Sequence, residues 1–598
     1  MPGLTGIIGR NAFEGNGPAL ERMVQKMVRE RFYTSGTYSN GHVGLRAGWV
    51  CHSKSFSDCL PIWNANRDVC LLFHGEVYSD GADQRTSRAS YLVQAYEEAG
   101  DRFFEQLNGW FAGIVIDLRK SEVTLFNDRY GLGRIYFHEN GERFYFSSEA
   151  KSLLHLLPET RELDLQGLAE FFACGCVLQN RTLFSGVQLL PPGSAWTFKP
   201  SQPVVKKTYF NQSVWEEQEP LSSEVYYNEL KETWRRVLPR YFRGNEVVGL
   251  SLTGGVDSRM ILGWAPRGAG QMPCYTFGGR YRDCSDVTVS REIASVCGQK
   301  HRVIGVGSDY LARFGDLAEK AIYVGDGAFD VTGSIDLFVQ EVAREIAPVR
   351  VTGTNGGEIL RRLVVFKPGT LNGDPLSAEM GRWVDEARKT YNSELEGHRL
   401  SFTAFKQSPW FMGSKFILER SQLNLRMPYF DNELVRLAYR TPKELVDDHE
   451  IPLRLAIDGN PVLRGIRTDR SQGSGPLAGS SRVRNLIQEF TCRAEYAYDY
   501  GMPQWFAPVE RALGPLHLEK LFLGWHKFTH FRLYYRNELA HFVRDTLLDP
   551  AARRRPYLNG TNVENLIKRH LDGTGNYTRE IHKLLSAELI QRKLIEQN

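Results

Sequence analysis

The sequence lacks several features that mark particular classes of protein. It has no apolar run of the roughly 18 residues that a membrane-spanning helix needs. Its first residues also lack the charged and then apolar pattern of a signal peptide. None of its nine cysteines forms a CxxC pair, and Cys174 and Cys176 have no His or Cys cluster beside them, so a zinc site is not expected. An odd number of scattered cysteines fits reduced thiols, which predicts a cytoplasmic protein.

Strong charge of either sign is also absent. The formal net charge is only +4 over 598 residues, and no basic stripe of the kind that binds nucleic acid is present. The GxxxxGK pattern of P-loop ATPases, with Ser or Thr after it, is missing too. A chain of this length exceeds the roughly 250–300 residues that one hydrophobic core supports, so we expect two or more domains.

The front of the chain, residues 1–215, has the pattern of an α+β layered domain. Short β-branched and aromatic runs such as VCLLFHGEVY, FAGIVIDL and RFYFSS end at charged or glycine turns, as strands do. Two segments with helical periodicity, SRASYLVQAYEEAG and LQGLAEFFACG, separate some of these runs. Strands grouped with a few helices predict stacked layers of sheet and helix.

In residues 216–598 strands and helices alternate instead. NEVVGLSL, MPCYTFGG, HRVIGV and PVRVTGT are predicted strands with helical segments between them. This alternation predicts an α/β doubly wound parallel sheet, whose ligands bind beyond the carboxyl ends of the strands. The chain becomes mostly helical after about residue 365, and the weakly patterned stretch 367–399 is interpreted as a mobile insertion over the site.

The strongest chemical signal is the loop SLTGGVDSRM, residues 251–260, between a buried strand and a helix. Gly254 and Gly255 let backbone amides approach an anion, and the following helix adds its N-terminal amides. Asp257 fits beside phosphates when Mg²⁺ bridges the carboxylate and the phosphates. The loop therefore predicts a site for a pyrophosphate group and a metal ion, with a simple glycine turn and helix cap as the alternative.

This loop and several longer blocks resemble the asparagine synthetase family. SLTGGVDS is similar to the family's SGGxDS pyrophosphate loop, and NLRMPYFDNELVRLAYRTP to its RxPFLD segment. NGWFAGIVIDLRKSEVTLFNDRYGLGRIYFHENGERFYFSSEAKSLL looks like the family's glutaminase core. The tail LIKRHLDGTGNYTREIHKLLSAELIQR is similar to that of members found in polysaccharide gene clusters. The blocks occur in the family's order over nearly the whole chain.

The resemblance implies an Ntn-hydrolase-like front domain of the class II glutamine amidotransferase type, followed by a PP-loop ATP-pyrophosphatase domain. The family cleaves ATP between its α- and β-phosphates and adenylates a carboxylate. When the family's residue roles are transferred to the matching positions of this sequence, Asp257 is the residue expected to bind Mg²⁺. The same transfer assigns ATP to residues in and around the loop and the next two strands: Val248, Leu250, Ser251, Gly254, Gly255, Asp257, Ser258, Thr276, Phe277, Gly278 and Gly353.

The resemblance also implies three catalytic residues. The segment VTGTNGGE keeps Glu358 of the family's second loop, SGxGxDE, but Gly357 stands where the family carries a metal-binding aspartate. Asp326 falls near the family's acidic residue at the acceptor site, and a turn or helix cap is its alternative role. Arg467 matches the position of the family's lysine and is expected to stabilise charge on the leaving pyrophosphate, with Arg470 as a competing candidate.

Two departures from the family predict that glutaminase activity is lost. Family members use an N-terminal Cys as nucleophile, whereas removal of Met1 would here expose Pro2, which has no thiol. FHGEVYS keeps Gly75 and Glu76 of the family's NGEIYN block but has His74 in place of the oxyanion-hole Asn. Loss of a nucleophile can cost roughly 10⁶-fold in rate, so we interpret these residues as the remnant of a glutaminase pocket.

Together these features predict an ATP-dependent, AMP- and pyrophosphate-forming amide ligase. Its substrate is expected to be a small-molecule, sugar or peptide carboxylate, captured by ammonia, an internal amine or a second substrate. β-Lactam synthetases and lasso-peptide cyclases, which also lack the N-terminal Cys, use an internal amine. A glutamine-hydrolysing asparagine synthetase and an inactive nucleotide-binding regulator are the alternatives. Neither a nucleic-acid partner nor a membrane span is expected, and a homodimer is one candidate assembly.

Overall fold

The computed structural model describes residues 2–9, 18–79, 89–141, 143–468 and 489–597. Within these ranges, the chain up to Thr208 folds into two six-stranded antiparallel sheets. Their orders are β10-β8-β9-β1-β3-β2 and β12-β11-β7-β6-β5-β4. The strands are β1 Gly3–Gly9, β2 Tyr33–Asn40, β3 Leu45–His52, β4 Ile62–Trp63, β5 Val69–Val77, β6 Gly109–Asp117, β7 Glu122–Asn127, β8 Tyr136–Asn140, β9 Arg143–Ser147, β10 Gln188–Leu189, β11 Ser194–Phe198 and β12 Val205–Thr208.

The two antiparallel sheets share one apolar core, because alternate side chains of each point toward the other. Leu4 and Phe146 of one sheet pack in the same buried cluster as Leu72 and Ile114 of the other. Helices cover the outer faces, which makes four layers. These helices are α1 Ala19–Met27, α2 Leu92–Ala99, α3 Phe103–Gln106, α4 Ala150–Leu156 and α5 Leu165–Cys174. The predicted α+β layered front is confirmed.

The second part of the chain contains a five-stranded parallel sheet in the order β15-β14-β13-β16-β17. Its strands are β13 Val248–Ser251, β14 Cys274–Gly278, β15 His301–Gly305, β16 Val349–Thr352 and β17 Asn424–Arg426. From β13 the chain builds outward through β14 and β15 and then returns to the other side of β13 at β16. The carboxyl ends of β13 and β16 are therefore a topological switch point, where parallel sheets bind ligands. The predicted α/β class is confirmed.

Helices cover both faces of this sheet and make up most of the regular structure in the rest of the described chain. They are α6 Ser213–Glu216, α7 Ser223–Val237, α8 Val256–Trp264, α9 Ser285–Val296, α10 Ser308–Ala312, α11 Phe314–Val324, α12 Gly333–Ile346, α13 Gly356–Leu360, α14 Ala378–Leu395, α15 Arg399–Phe402, α16 Gly413–Gln422, α17 Asn432–Ala438, α18 Glu450–Gly459, α19 Ala507–Leu513, α20 Phe531–Arg536, α21 Ala540–Leu547, α22 Pro550–Arg553, α23 Gly560–Leu571 and α24 Thr578–Ile590. None of the helices in the described ranges is both long and apolar enough to cross a membrane.

The stretch 367–399, for which the sequence predicts a mobile insertion, contains the 18-residue helix α14. The side chain of Ser377 caps its first turn by accepting from the Met380 N–H at 3.3 Å. Val384, Ala387 and Tyr391 are buried, and the helix packs on α5 of the front domain. Its packing gives this stretch a structural reason to be ordered, and its predicted mobility stays a prediction.

Candidate functional site

The first loop of the site links β13 to α8. Its conformation is held by local hydrogen bonds: the Thr253 N–H donates to Ser258 Oγ at 3.0 Å. The Gly254 N–H donates to Asp286 Oδ1, from the first turn of α9, at 2.8 Å. The loop therefore delivers the N-terminus of α8, with Asp257 and Ser258 in its first turn, to the end of β13.

The second loop follows β16 and packs directly against the first. A Cβ atom on Gly353 would lie 2.6 Å from the Ser258 backbone nitrogen, and one on Gly356 would lie 2.5 Å from Asp257 Cγ. Between them Asn355 adopts the left-handed conformation, with φ 70°, and begins α13. These glycines allow the two loops to approach to backbone contact at the switch point.

The two loops form one wall of a cavity of about 260 Å³ at the carboxyl ends of the parallel strands. Seven residues predicted for nucleotide binding line it together: Ser251, Gly255, Asp257, Ser258, Thr276, Phe277 and Gly353. The lining also includes residues without a sequence prediction, at the next strand ends and from the C-terminal region: Tyr275, Asp286, Arg350, Thr352, Thr354 and Phe528. Tyr275, Thr352 and Thr354 adjoin predicted residues but belong to no motif of their own. Asp286, Arg350 and Phe528 come from segments outside the predicted loops.

Other predicted nucleotide residues lie beside this cavity without lining it. Val248 and Leu250 are buried in β13, where they belong to the apolar core of the sheet. Gly278 ends β14, and Gly254 holds the first loop through its N–H. These four residues hold the strands and the loop that shape the cavity, but their own side chains or backbone atoms do not line it.

The predicted catalytic Arg467 is tied to the first loop through a side chain that the sequence analysis missed. Arg259, fully buried in α8, donates from Nη2 to the carbonyl oxygen of Arg467 at 2.8 Å and to that of Gly254 at 3.2 Å. Its Nη1 donates to the carbonyl of Ile466 at 2.8 Å. The backbone of Arg467 is therefore fixed relative to the loop, although its side chain does not line the cavity. Arg470 lies outside the described residues.

The predicted remnant of a glutaminase pocket is also assembled in space. Pro2, His74, Gly75 and Glu76 line one small cavity of the front domain together with Cys51. Gly75 has φ 114°, and a Cβ there would lie 2.0 Å from the Trp110 carbonyl oxygen, so only glycine fits. The accessible volume of this cavity is about 30 Å³, enough to hold water.

Two arginines of the second domain donate hydrogen bonds to the polar side chains that line this front-domain cavity. Arg426, at the end of β17, binds both carboxylate oxygens of Glu76 at 2.8 Å. Arg420 donates from Nη2 to His74 Nε2 at 2.7 Å and lies over the Trp110 ring. The groups that a glutamine substrate would need are thus engaged by the protein itself.

The thiol in this cavity has the electrostatics of a buried, unreactive cysteine. Burial and, to a smaller extent, the nearby Asp58 carboxylate raise the pKa of Cys51 to about 11. Burial and the Arg420 charge hold the pKa of His74 well below its ordinary value, so the imidazole is neutral. An imidazole with so low a pKa is too weak a base to take the proton of a thiol whose pKa is raised, so this pair gives no activated nucleophile.

Comparison with known proteins agrees with this two-part arrangement. A family model described as glutamine amidotransferase domain matches residues 1–210, and one described as asparagine synthase matches residues 229–405. Asparagine synthetase [glutamine-hydrolyzing] 1 of Bacillus subtilis (strain 168) is 21% identical over 617 residues, covering 88% of this chain and 96% of that protein. Asparagine synthetase [glutamine-hydrolyzing] 3 of the same organism is 25% identical over 294 residues, covering 46% of this chain and 47% of that protein.

The chain is a divergent member of the asparagine synthetase family. The resemblance inferred from the sequence blocks is confirmed. Membership makes the protein a carbon–nitrogen ligase of a family that uses ATP.

Two carboxylates, Asp257 and Asp286, line the cavity of this asparagine synthetase-family site. Asp286 accepts from the Gly254 N–H, which leaves Asp257 as the better candidate to hold a metal ion. Asp257 lines the cavity with a side chain that is 23% exposed. Mg²⁺ needs only one or two carboxylates when substrate phosphates and water complete its shell, so Asp257 fits an ion that arrives with nucleotide phosphates. No group of three or more His, Cys, Asp or Glu side chains among the described residues could hold a metal alone.

Glu358, the acidic residue that the family's second loop retains, lies behind Asp257 without lining the cavity. Its pKa is raised to about 7, mainly by burial and also by the negative charge of Asp257, while the Arg361 guanidinium acts in the opposite direction. Its position in α13 therefore places it within electrostatic range of the predicted metal ligand.

Asp326 is not brought to the nucleotide cavity. Its carboxylate accepts from the backbone N–H groups of Ala150 and Lys151 at 2.8 and 3.1 Å, at the start of α4 in the front domain. Oδ1 also lies 3.1 Å from the Lys151 ammonium, which binds Glu149 at 2.8 Å. Both carboxylate oxygens are engaged at the domain interface, so the structure favours the helix-cap role over the acceptor-site role.

Proposed function

We propose that this protein is an ATP-dependent ligase that forms AMP and pyrophosphate, joins a carboxylate to an amine or ammonia, and has no glutaminase activity. The observation that carries the proposal is the contact between the two loops at the switch point. Gly353 and Gly356 lie against Ser258 and Asp257 there, which builds a cradle for a pyrophosphate group beside one carboxylate.

The residues around the cavity have chemistry suited to this reaction. Backbone amides at the start of α8 and the hydroxyls of Thr253 and Ser258 can hold phosphate oxygens. Mg²⁺, when bound at Asp257 and the phosphates, would neutralise charge on the leaving pyrophosphate. The backbone of Arg467 is fixed beside the first loop, from which its side chain can approach the phosphates.

The proposed reaction has two bond-forming steps. An oxygen of the substrate carboxylate attacks the α-phosphorus of ATP, the bond between the α- and β-phosphates breaks, and pyrophosphate leaves. The nitrogen of an amine or ammonia then attacks the acyl carbon, loses a proton, and AMP leaves. The loops and Asp257 act mainly in the first step, because they surround the group that leaves.

The front-domain cavity supports a nitrogen source other than glutamine. Glu76 and His74 are held by Arg426 and Arg420, and the Cys51 thiol is protonated at neutral pH. Pro2 supplies no thiol. We therefore propose free ammonia or an amine, either on the carboxylate substrate or on a second molecule.

We further propose a small-molecule, sugar or peptide carboxylate as substrate. All nine cysteines are free thiols, which supports the cytoplasm as the place of the reaction. The homodimer predicted as a candidate assembly stays a prediction.

The test is release of pyrophosphate from ATP in the presence of candidate carboxylates and amines. The wild-type protein is compared with Asp257→Ala, which removes the proposed metal ligand. We expect release by the wild type to fall by at least about 10²-fold in the variant, as for loss of a major electrostatic contact in other enzymes. Equal release by both proteins would contradict the proposal.

A further inference from the structure

A side chain of opposite charge occupies part of the place where the family carries its second metal-binding aspartate. Gly357 has no side chain, and a Cβ atom there would lie 2.9 Å from Arg361 Nη2 and also 2.9 Å from Leu363 Cδ1. Arg361 follows the last residue of α13, so its guanidinium lies back along that helix toward the second loop. The space of the missing carboxylate is therefore shared by the Arg361 guanidinium and the apolar Leu363 side chain.

The guanidinium of Arg361 also faces Asp257, the predicted metal ligand. Its Nη2 lies 3.5 Å from Asp257 Oδ2, which is longer than the roughly 2.7–2.9 Å of a charge-assisted hydrogen bond. Its Nη1 donates to His449 Nδ1 at 2.5 Å. Its Nε is buried and makes no hydrogen bond within the described ranges. His449 thus fixes the group from one side, and Nη2 faces Asp257 at the cavity wall. The Arg361 side chain is 9% exposed and does not itself line the cavity, so direct contact with a phosphate requires it to turn past Asp257.

Replacing an aspartate and its Mg²⁺ ion by Arg361 leaves the net charge of the site unchanged. A carboxylate and the Mg²⁺ ion that it holds contribute one net positive charge to the site, and one arginine contributes the same. Arginine stays protonated at any physiological pH and can hold phosphate oxygens through two parallel N–H groups. A guanidinium at this place is therefore an electrostatic replacement for a carboxylate with its metal ion.

We infer that Arg361 takes the place of a second metal ion and binds the pyrophosphate portion of the nucleotide directly, beside a single Mg²⁺ at Asp257. This inference rests on the proposed function, because it requires a nucleotide in the loop. Two consequences follow. Nucleotide binding depends on about one Mg²⁺ ion instead of about two, and part of the affinity for ATP survives removal of the metal.

The test is calorimetric measurement of ATP binding to the full-length protein over a range of Mg²⁺ concentrations and in excess EDTA. In EDTA, we expect Arg361→Gln to bind ATP about tenfold to hundredfold more weakly than the wild type, as for loss of a hydrogen bond to a charged group. Arg362→Gln is the matched control, because this neighbouring guanidinium donates instead to the Ala438 carbonyl. Its affinity for ATP is expected to be unchanged.

The possible outcomes separate the inference from the proposal beneath it. Equal affinities of wild type and Arg361→Gln for metal-free ATP would overturn the inference. Loss of Mg-ATP affinity alone, with metal-free affinity kept, would also overturn it, because Arg361 would then only orient Asp257. Failure of the wild type to bind ATP with or without Mg²⁺ would contradict the proposed function itself.

Two further variants test the role of the Arg361 charge and the replacement of a metal-binding carboxylate by an arginine. Arg361→Lys, which keeps the charge but loses the paired donors, is expected to retain part of the metal-free affinity. The double variant Gly357→Asp with Arg361→Ala restores two carboxylates. It is expected to lose metal-free binding and to require about two Mg²⁺ ions for ATP. Unchanged metal dependence in a double variant with a native circular-dichroism spectrum would count against the inference.

Discussion

At the scale of single residues, the front-domain cavity shows how a catalytic pocket can become a structural contact. Glu76 keeps the position that the family uses, but it is bound on both oxygens by Arg426. Burial would raise the pKa of Glu76, yet the Arg426 guanidinium outweighs this effect and holds the pKa below its ordinary value. The Glu76 carboxylate is therefore charged, and it forms an ion pair with Arg426 that joins the two domains.

The Cys51 thiol is expected to resist alkylation in the native protein. With a pKa of about 11, roughly one thiol in a thousand is ionised at about pH 8, and only the thiolate reacts. We expect iodoacetamide to modify Cys51 far more slowly in the native than in the denatured protein, as measured by mass spectrometry. Comparable rates in the two states would show that the pocket retains a reactive nucleophile.

Removal of the arginine that holds Glu76 is expected to destabilise the protein strongly. Arg426→Gln leaves a buried charge without its partner, which typically costs about 3–5 kcal/mol. Arg235→Gln is the control, because the Arg235–Glu232 pair has side chains that are 64% exposed, and exposed pairs contribute only about 0–1 kcal/mol. The measurement is denaturant unfolding of both variants. Similar small effects would show that the buried pair contributes little.

At the scale of elements, the site depends on how closely two strand-to-helix loops approach. Gly353→Ala and Gly356→Ala would place a Cβ atom 2.6 Å from the Ser258 nitrogen and 2.5 Å from Asp257 Cγ. The overlap is relieved only by moving the two loops apart. We therefore expect ATP affinity to fall about fivefold to hundredfold, which corresponds to about 1–3 kcal/mol of binding free energy.

The control for these glycine variants is Gly381→Ala in α14, where a Cβ would have no neighbour within 4 Å. This change is expected to leave ATP affinity unchanged and to stabilise the helix by up to about 1 kcal/mol. Binding of a fluorescent ATP analogue measures all three variants. Wild-type affinity in the Gly353 and Gly356 variants would contradict the role given to the loop contact.

Local elements of the site were predictable from sequence, whereas contacts between distant segments were not. The strand β13, the glycine loop and α8 follow one another within 17 residues, so their pattern carried the prediction of a phosphate site. The Arg361–Asp257 contact joins residues 104 apart, and the Lys151–Asp326 contact joins residues 175 apart. Neither has a local signature, which is why Arg361 and the lining residue Phe528 were missed.

At the scale of the whole molecule, the front domain and the parallel-sheet domain are joined by buried polar contacts. Besides the Glu76–Arg426 pair, Asn108 donates to Asp431 at 2.9 Å, and Asp326 caps α4 while binding Lys151. Buried charges are costly unless paired, so these contacts fix the relative position of the domains. The front domain then contributes structure to the ligase even without its own chemistry.

The role of Asp326 is tested by measuring both the unfolding free energy and the ATP affinity of the Asp326→Asn variant. Asp326→Asn weakens the cap of α4 and removes a charge facing Lys151, so we expect a loss of about 1–3 kcal/mol in unfolding free energy with unchanged ATP affinity. Asp385→Asn, at a side chain that is 65% exposed, is expected to change stability by less than about 0.5 kcal/mol. A normally stable Asp326→Asn protein that no longer forms AMP would restore the acceptor-site prediction.

The central claim is that the ligase site works while the glutaminase pocket does not. It is tested most directly by measuring AMP and glutamate together in one reaction that contains ATP, Mg²⁺, glutamine, an ammonium salt and the carboxylate substrate. We expect AMP to form in step with pyrophosphate, while glutamate stays at the level of a reaction without protein. Glutamate released in step with AMP would contradict the account.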